Sequence, residues 1–329
     1  MTSYRKPSGI GLVCILAFAL AACGGSGGAD DQSQLTAPSA GDIGYLNLSI
    51  SDAPIKDASK VCIRFDGVEL KHADSDETET IDFEQPEVVN LLANQGPNSQ
   101  PIVTLGELPG GAYDWLRLKV KAERGLGGGA NDSDPASDIC DDATENSYLV
   151  RTSSEVHNLF IPSGSQRGLQ LIKDIIIPAN RAVDYTAEWD LGKSFNGPRG
   201  LDPDVMMKPV VKLVANNEVG TLVGQVADEL IALDSCDDEF APSVYVFNDG
   251  VEPNPLPLPD DPFAEDDAVA TGLVERQEQE DGSMPWRYSI GFLLAGNYEA
   301  AFTCNGIDFE PSEGKEAVIT IGADTQLDF

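Results

Sequence analysis

The sequence predicts an all-β protein built as two consecutive antiparallel β-sandwich domains. Three observations carry this reading. Apolar residues recur at every second position, a helical period of 3.6 is nearly absent, and short apolar runs are separated by turn-forming Gly, Pro, Asn and Asp. Leu46, Leu48 and Ile50 alternate with Asn47 and Ser49; Val61, Ile63 and Phe65 with Cys62 and Arg64; Leu116, Leu118 and Val120 with Arg117, Lys119 and Lys121. Tyr185, Ala187, Trp189 and Leu191 alternate with Thr186, Glu188 and Asp190. Strands with one apolar and one wet face belong in antiparallel sheets covered on one side. Only Glu87–Asn94 invites a short helix. A second series follows Ala215-Asn216-Asn217-Glu218: Thr221–Val226, Val244–Phe247, Arg287–Phe292, Tyr298–Cys304 and Ala317–Ile321. In it Tyr288, Ile290 and Phe292 share one face, as do Tyr298, Ala300, Phe302 and Cys304. Roughly seven short strands suit one sandwich, which places a boundary near 214–218 and domains at 43–214 and 215–329.

The residues before these strands read as an address and a tether. Arg5 and Lys6 precede an apolar run from Ile10 to Leu20, which is too short to span a bilayer as a helix and so reads as a cleavable export signal over residues 1–22. It ends in Leu20-Ala21-Ala22-Cys23, which resembles the bacterial lipobox, with Cys23 as the acylated residue. The alternative is an ordinary secretory signal with a chance Cys at its end. Several acyl chains at about 0.8 kcal/mol per buried CH₂ would hold the chain firmly to a membrane. Gly24 rather than Asp follows, which by resemblance to other bacterial lipoproteins implies the outer membrane as destination, on its periplasmic or its outer side. The rest of residues 23–42, rich in Gly, Ser, Ala and Pro, reads as a flexible tether.

Composition excludes several classes of function. Lys and Arg number 21 against 55 Asp and Glu, a formal net charge of −34. Nucleic acids are therefore not expected as partners, because phosphate recognition needs clustered cations. Two His, no CxxC and no HExxH leave little basis for zinc, haem or iron–sulfur chemistry.

Two resemblances to known families add to this. Gly44-Tyr45-Leu46-Asn47-Leu48-Ser49-Ile50-Ser51-Asp52-Ala53-Pro54 resembles the opening of the bacterial lipoprotein family called domain of unknown function 4382. Further matching stretches follow in the family's order: Phe65–Leu70, Leu108–Gly111, Ile161–Leu169, Asp190–Ser194 and Met207–Val211. The family implies an exported β-sandwich lipoprotein and no assigned activity. The acidic, Gly-rich stretch Arg124–Asn146 departs from it as an insertion. Residues 219–329 loosely resemble transthyretin-like and carboxypeptidase-regulatory-like sandwiches. There Leu293-Leu294-Ala295-Gly296-Asn297-Tyr298-Glu299 repeats Leu108-Pro109-Gly110-Gly111-Ala112-Tyr113-Asp114. In each copy Gly would supply a positive φ at the turn, and Tyr a buried ring whose hydroxyl caps the corner.

Of six Cys, Cys14 leaves with the signal and Cys23 carries lipid. Cys62, Cys140, Cys236 and Cys304 remain, an even number in an oxidising compartment. Chain order and the domain split favour Cys62–Cys140 and Cys236–Cys304, although three connectivities exist and four free thiols are the alternative. Cys304, on a buried face, would staple sheet to sheet. Cys62, on the opposite face from Val61 and Ile63, would pin the Cys140 loop over an exposed sheet.

No string that imitates a catalytic motif has the right surroundings. Gly24–Gly28 matches GxSxG but lies in the tether, and Gly125–Ala130 imitates a dinucleotide loop but runs into Asp132 and Asp134. Ser312-Glu313-Gly314-Lys315 matches SxxK in what reads as a turn. His72 and His157 stand 85 positions apart, without Cys or His nearby, and read as surface or strand-edge residues. Acidic clusters at 132–142, 234–239 and 260–267 offer hard oxygen donors. Asp132, Asp134 and Asp138 are the best candidates for Ca²⁺, without a complete EF-hand spacing; a solvated acidic surface is the plainer reading. The Phe329 terminus imitates the closing strand of an outer-membrane barrel, but the remaining strands a barrel needs are missing. The sequence thus reads as a lipid-anchored envelope protein that is not an enzyme but a binding or structural module. A binder of carbohydrate or another extracellular polymer, Ca²⁺-assisted or not, is the alternative, with an envelope protein as another kind of partner, and a hydrolase is the least favoured reading. Exposed aromatics would support the glycan alternative, and Trp286 is the candidate, although a core position at the start of its strand is the first reading.

Overall fold

In a computed structural model, the structure describes residues 42–329 apart from 54, 56–57, 126–136, 138, 196–203, 234–235, 237–241, 254–267 and 307. Cys23 and the candidate Ca²⁺ ligands Asp132, Asp134 and Asp138 therefore lie outside the described residues, as do the GxSxG string and nearly all of the dinucleotide-like loop. The chain is nearly all β. Its first eleven strands are β1 (Ile43–Ala53), β2 (Ala58–His72), β3 (Thr78–Asn90), β4 (Gln100–Pro109), β5 (Gly111–Val120), β6 (Tyr148–Arg151), β7 (Val156–Phe160), β8 (Leu169–Ile177), β9 (Ala182–Asp190), β10 (Asp204–Met206) and β11 (Val211–Ala215). Eight more follow: β12 (Val219–Val226), β13 (Ser243–Asn248), β14 (Ala270–Leu273), β15 (Glu275–Arg276), β16 (Trp286–Leu294), β17 (Gly296–Thr303), β18 (Phe309–Ile319) and β19 (Asp324–Gln326). Single helical turns lie at α1 (Gly164–Arg167), α2 (Leu191–Ser194) and α3 (Asp228–Ile231). No helix among the described residues is long and apolar enough to cross a membrane.

Strands β1–β11 form two sheets. One has the order β11-β9-β1-β4; the other, seven-stranded, has the order β10-β7-β6-β2-β5-β8 with β3 on β2. Between them lies a core in which Leu46, Leu48, Ile50, Val61, Ile63, Phe65 and Trp189 lose all exposure, each at a position that the period-two pattern turns inward. Strands β12–β19 form two four-stranded sheets, β15-β16-β12-β19 and β14-β13-β17-β18, around a second core that includes Leu222, Val246, Tyr288, Ile290 and Phe302.

Several elements depart from the sequence expectations. The sheets are not wholly antiparallel: β1 runs parallel to β9, β7 to β10 and β12 to β19. Residues 87–90 finish β3 and only Leu91–Ala93 make a 3₁₀ turn, because β2 pairs with β3 as far as Asn90, whose Oδ1 then accepts from the Leu92 N–H. Phe292 does not share a face with Tyr288 and Ile290. Its φ is +54°, a register shift lies near Gly220, and Leu293 takes the buried position. The Ser312–Lys315 string lies inside β18 rather than in a turn between strands.

The repeated Tyr turns agree in their hydrogen bonds and differ in the role of Gly. The Tyr113 hydroxyl donates to the Pro109 carbonyl at 2.7 Å, and the Tyr298 hydroxyl to the Leu294 carbonyl at 2.9 Å, each reaching back four residues to hold a hairpin corner. None of Gly110, Gly111 and Gly296 has a positive φ. At Gly110 the requirement is close approach, since a Cβ there would lie 2.9 Å from the Asp42 carbonyl oxygen.

The described residues, from 42 to 329, fall within one compact unit. Where the second pair of sheets meets the first, the Gly291 backbone leaves no room for a side chain, because a Cβ would come within 2.8 Å of Pro97 Cα. Lys193 Nζ donates to the Ala268 carbonyl at 2.5 Å, and Lys212 Nζ donates to that of Val269.

Candidate functional site

A cleft of about 310 Å³ lies on the outer face of the seven-stranded sheet. Strand alternation builds it. Leu116, Leu118 and Val120 point into the core, so Trp115, Arg117, Lys119 and Lys121 stand on the outer face, with Lys121 just past the end of β5. Glu69 of β2 lies opposite Arg117, and Gln170 of β8 flanks Arg117 on the other side. Asp66 and Asp82 close one wall. The opposite wall is the turn Gly164–Gly168 with Gln166 and Arg167. Two stretches that carry the family resemblance, 65–70 and 161–169, thus converge on one feature although about 95 residues separate them.

Gly168 shapes that wall. Its φ is +65°, and a Cβ would lie 2.7 Å from both Arg117 Cδ and the Leu118 carbonyl oxygen, so the turn can lie flat against the Arg117 side chain only with glycine there. Three ion pairs are short, Arg117 to Glu69 at 2.7 Å, Lys119 to Asp82 at 2.5 Å and Lys121 to Glu123 at 2.5 Å, and Lys119 lies farther from Glu69, at 3.8 Å. Arg117 also stacks over the Trp115 ring, 4.4 Å from its centroid. Its Nε is shielded from solvent without a hydrogen-bond acceptor. Arg167 is exposed and makes no side-chain hydrogen bond or ion pair among the described residues. Such a surface is a fixed array of donors and acceptors, suited to a polar ligand. Ile172, opposite Trp115 on β8 and 84% exposed, adds an apolar step at one end.

The sequence-level candidates fall elsewhere. Cys62 is bonded to Cys140 with Cα atoms 5.9 Å apart, and Cys236 to Cys304 with Cα atoms 4.6 Å apart. The sheet face around Cys62 is not exposed. Cys62, Cys140, Tyr148 and Val150 form a small separate core, and Lys60, wholly buried beside them, donates from Nζ to the Ile139 carbonyl at 3.0 Å. The covering comes from the segment before Tyr148, which the bridge folds over the sheet. Cys304 does not staple sheet to sheet either, since Cys236 lies beyond α3 in the loop that follows β12.

His72 stacks on Tyr113 at 4.5 Å and faces Glu79 at 3.1 Å, while His157 lies 3.3 Å from Arg151 Nε and 3.8 Å from Glu155. Ser312 bonds to Glu313 and Lys315 to the Asp328 carbonyl, so the SxxK pair is not assembled. Trp286 opens β16 half-buried against the second core, with the Arg276 guanidinium 4.8 Å above its ring. Phe329 packs on Tyr288 at 5.9 Å, and its N–H donates to Gln225, which ties the chain end to β12. No group of three His, Cys, Asp or Glu placed to hold a metal occurs among the described residues. A smaller pocket at the junction of the two sheet pairs is lined by Glu188, Trp189, Lys212 and Val269. Burial pushes the Glu188 carboxyl up to about 8, with Lys212 opposing the rise and Asp190 adding to it.

Sequence reasoning missed the cleft, although one signal was present: Trp115 continues the outward series Arg117, Lys119, Lys121 at period two.

No curated protein matches the sequence. Among solved structures, the minor pilin GBS52 of Streptococcus agalactiae shares 9% identity, covering 86% of this chain and 94% of that one at a TM-score of 0.18. The fimbrial anchor protein Mfa2 of Porphyromonas gingivalis shares 11%, covering 86% and 90% at a TM-score of 0.19. TM-scores this low leave the overall folds unmatched. A family model is a stronger finding. It is described as a domain of unknown function (DUF4382), it matches residues 43–209, just over half of the chain, and the chain belongs to that family.

Proposed function

We propose that the protein is an exported envelope lipoprotein, held to the outer membrane through acylated Cys23, that acts as a non-enzymatic binding module for an extracellular polymer. The cleft on the outer face of the seven-stranded sheet is its binding surface. The observation that carries the reading is the array of Arg117, Glu69, Lys119 and Asp82, fixed in mutual ion pairs on a rigid sheet. Pre-ordered donors and acceptors lose little entropy when a hydroxyl-rich ligand displaces water from them. Two disulfides support export, since such bonds persist in oxidising compartments. A carbohydrate polymer is the favoured ligand because Trp115 and Ile172 border the polar array with apolar surface.

Two measurements test this. Growth with labelled palmitate should mark the wild-type chain and not Cys23→Ser; label that survives the substitution refutes the anchor. Pull-down of envelope polysaccharide by the intact chain should be lost in Arg117→Glu/Lys119→Glu, and retention by that variant refutes the surface.

A further inference from the structure

Resting on that binding reading, we propose that the ligand of the cleft is an acidic polysaccharide, with Arg167 as the residue that takes its carboxylates. The first observation is a local inversion of charge. The chain carries 21 Lys and Arg against 55 Asp and Glu, yet at the cleft five cations, Arg64, Arg117, Lys119, Lys121 and Arg167, meet four carboxylates, Asp66, Glu69, Asp82 and Glu123, once the ion-pair partners of the lining residues are included. The second is how the charges are paired. Glu69 and Asp82 are committed to Arg117 and Lys119, whereas the Arg167 side chain has no hydrogen-bond or ion-pair partner among the described residues and stands exposed on the wall. The third is the Arg117 Nε, a shielded donor without an acceptor, which adds positive potential beneath the same wall.

The spacing selects a polymer over a single small anion. Arg117 and Lys119 of β5 and Lys121 just beyond it project at every second residue, about 7 Å apart. A row of that kind meets a chain with regularly repeated charges. An acidic peptide is the weaker occupant: β5 is hydrogen-bonded to β2 on one side and β8 on the other, so it offers a peptide no free strand edge to pair with. Trp115 and Ile172 provide apolar surface for the C–H faces of sugar rings.

The test uses the intact chain in non-ionic detergent with EDTA present, so that a metal bridge between two acidic polymers is removed. Binding of polygalacturonate oligomers is compared with that of their neutral methyl esters, with sodium sulfate as competitor. Polygalacturonate is expected to bind at least tenfold more tightly than the ester, and Arg167→Ala to weaken it about ten- to a hundredfold, as loss of a charge-assisted hydrogen bond does. Arg167→Lys should recover part of the affinity, while Arg181→Ala, exposed and outside the cleft, should leave it unchanged. Equal binding of acid and ester, or an Arg167→Ala variant that binds normally, overturns the carboxylate assignment and leaves the glycan-binding reading standing. Competition by sulfate as strong as by the oligomer identifies a free-anion site and overturns the polymer. If neither acid nor ester binds, both readings fall.

Discussion

The buried bridge between Cys62 and Cys140 gives the most quantitative expectation. Replacing both residues by Ala opens a loop of sequence separation 78, and the loop-entropy relation puts the cost at about 4.5 kcal/mol. The Cys236–Cys304 bridge, of separation 68, comes to about 4.4 kcal/mol on the same relation. Loop length therefore barely separates the two, and any difference between them reports native packing. At the first bridge that packing is substantial. Cys62 and Tyr148 are wholly buried, and Lys60 is held without solvent contact by an acceptor in the segment that the bridge anchors. Releasing that segment exposes the small core and removes the Ile139 carbonyl from the Lys60 ammonium, which adds to the entropic cost. We expect urea denaturation of Cys62→Ala/Cys140→Ala, followed by tryptophan fluorescence and circular dichroism, to show a loss of about 4 kcal/mol or more. Cys236→Ala/Cys304→Ala should lose less. A loss below about 1 kcal/mol at the first bridge, or a larger loss at the second, refutes this reasoning.

Three further outcomes are expected. Gly168→Ala should cost about 1–2 kcal/mol for a side chain at positive φ and should also weaken ligand binding by displacing Arg117; urea titration and a binding isotherm on the same sample check both effects. Tyr113→Phe should cost about 1 kcal/mol by leaving the Pro109 carbonyl without its donor, and Tyr298→Phe less because its hydroxyl bond is exposed; thermal unfolding of the pair decides. Because the Glu188 carboxyl is raised to about 8 in the folded chain, its stabilising protonated form is fully present below the unfolded value near 4.5 and is lost as pH rises through 8. Glu188→Gln should therefore flatten the fall in stability between pH 5 and 9, and an unchanged pH profile would show that Glu188 contributes nothing to it.

Much of the architecture is readable from residue order because burial imposes it locally. Leu46, Leu48 and Ile50, or Leu116, Leu118 and Val120, show by period two which side is wet, and the structure buries those sides. The two Tyr turns were legible for a similar reason, since the ring and the carbonyl it caps lie four residues apart. Parallel pairing of β1 with β9 was not, because about 140 residues separate the partners and periodicity says nothing about which strands become neighbours. Period two places Phe292 on the wrong face because a bulge shifts the alternation by one residue, and no local signal marks it. The cleft escaped for both reasons. Asp66 and Glu69, Lys119 and Lys121, and Arg167 come from three separated stretches, and only Trp115, in step with Arg117, announced an aromatic on the outer face.

On the reading proposed above, this protein meets its ligand on the outer face of the seven-stranded sheet. Hydrogen–deuterium exchange of the intact chain, with and without polysaccharide extracted from the producing cell's envelope, tests it most directly. Slowed exchange is expected in residues 64–69, 115–121 and 164–170, with the sheets of residues 219–329 unchanged. Slowing confined to residues 219–329, or none anywhere, would contradict it.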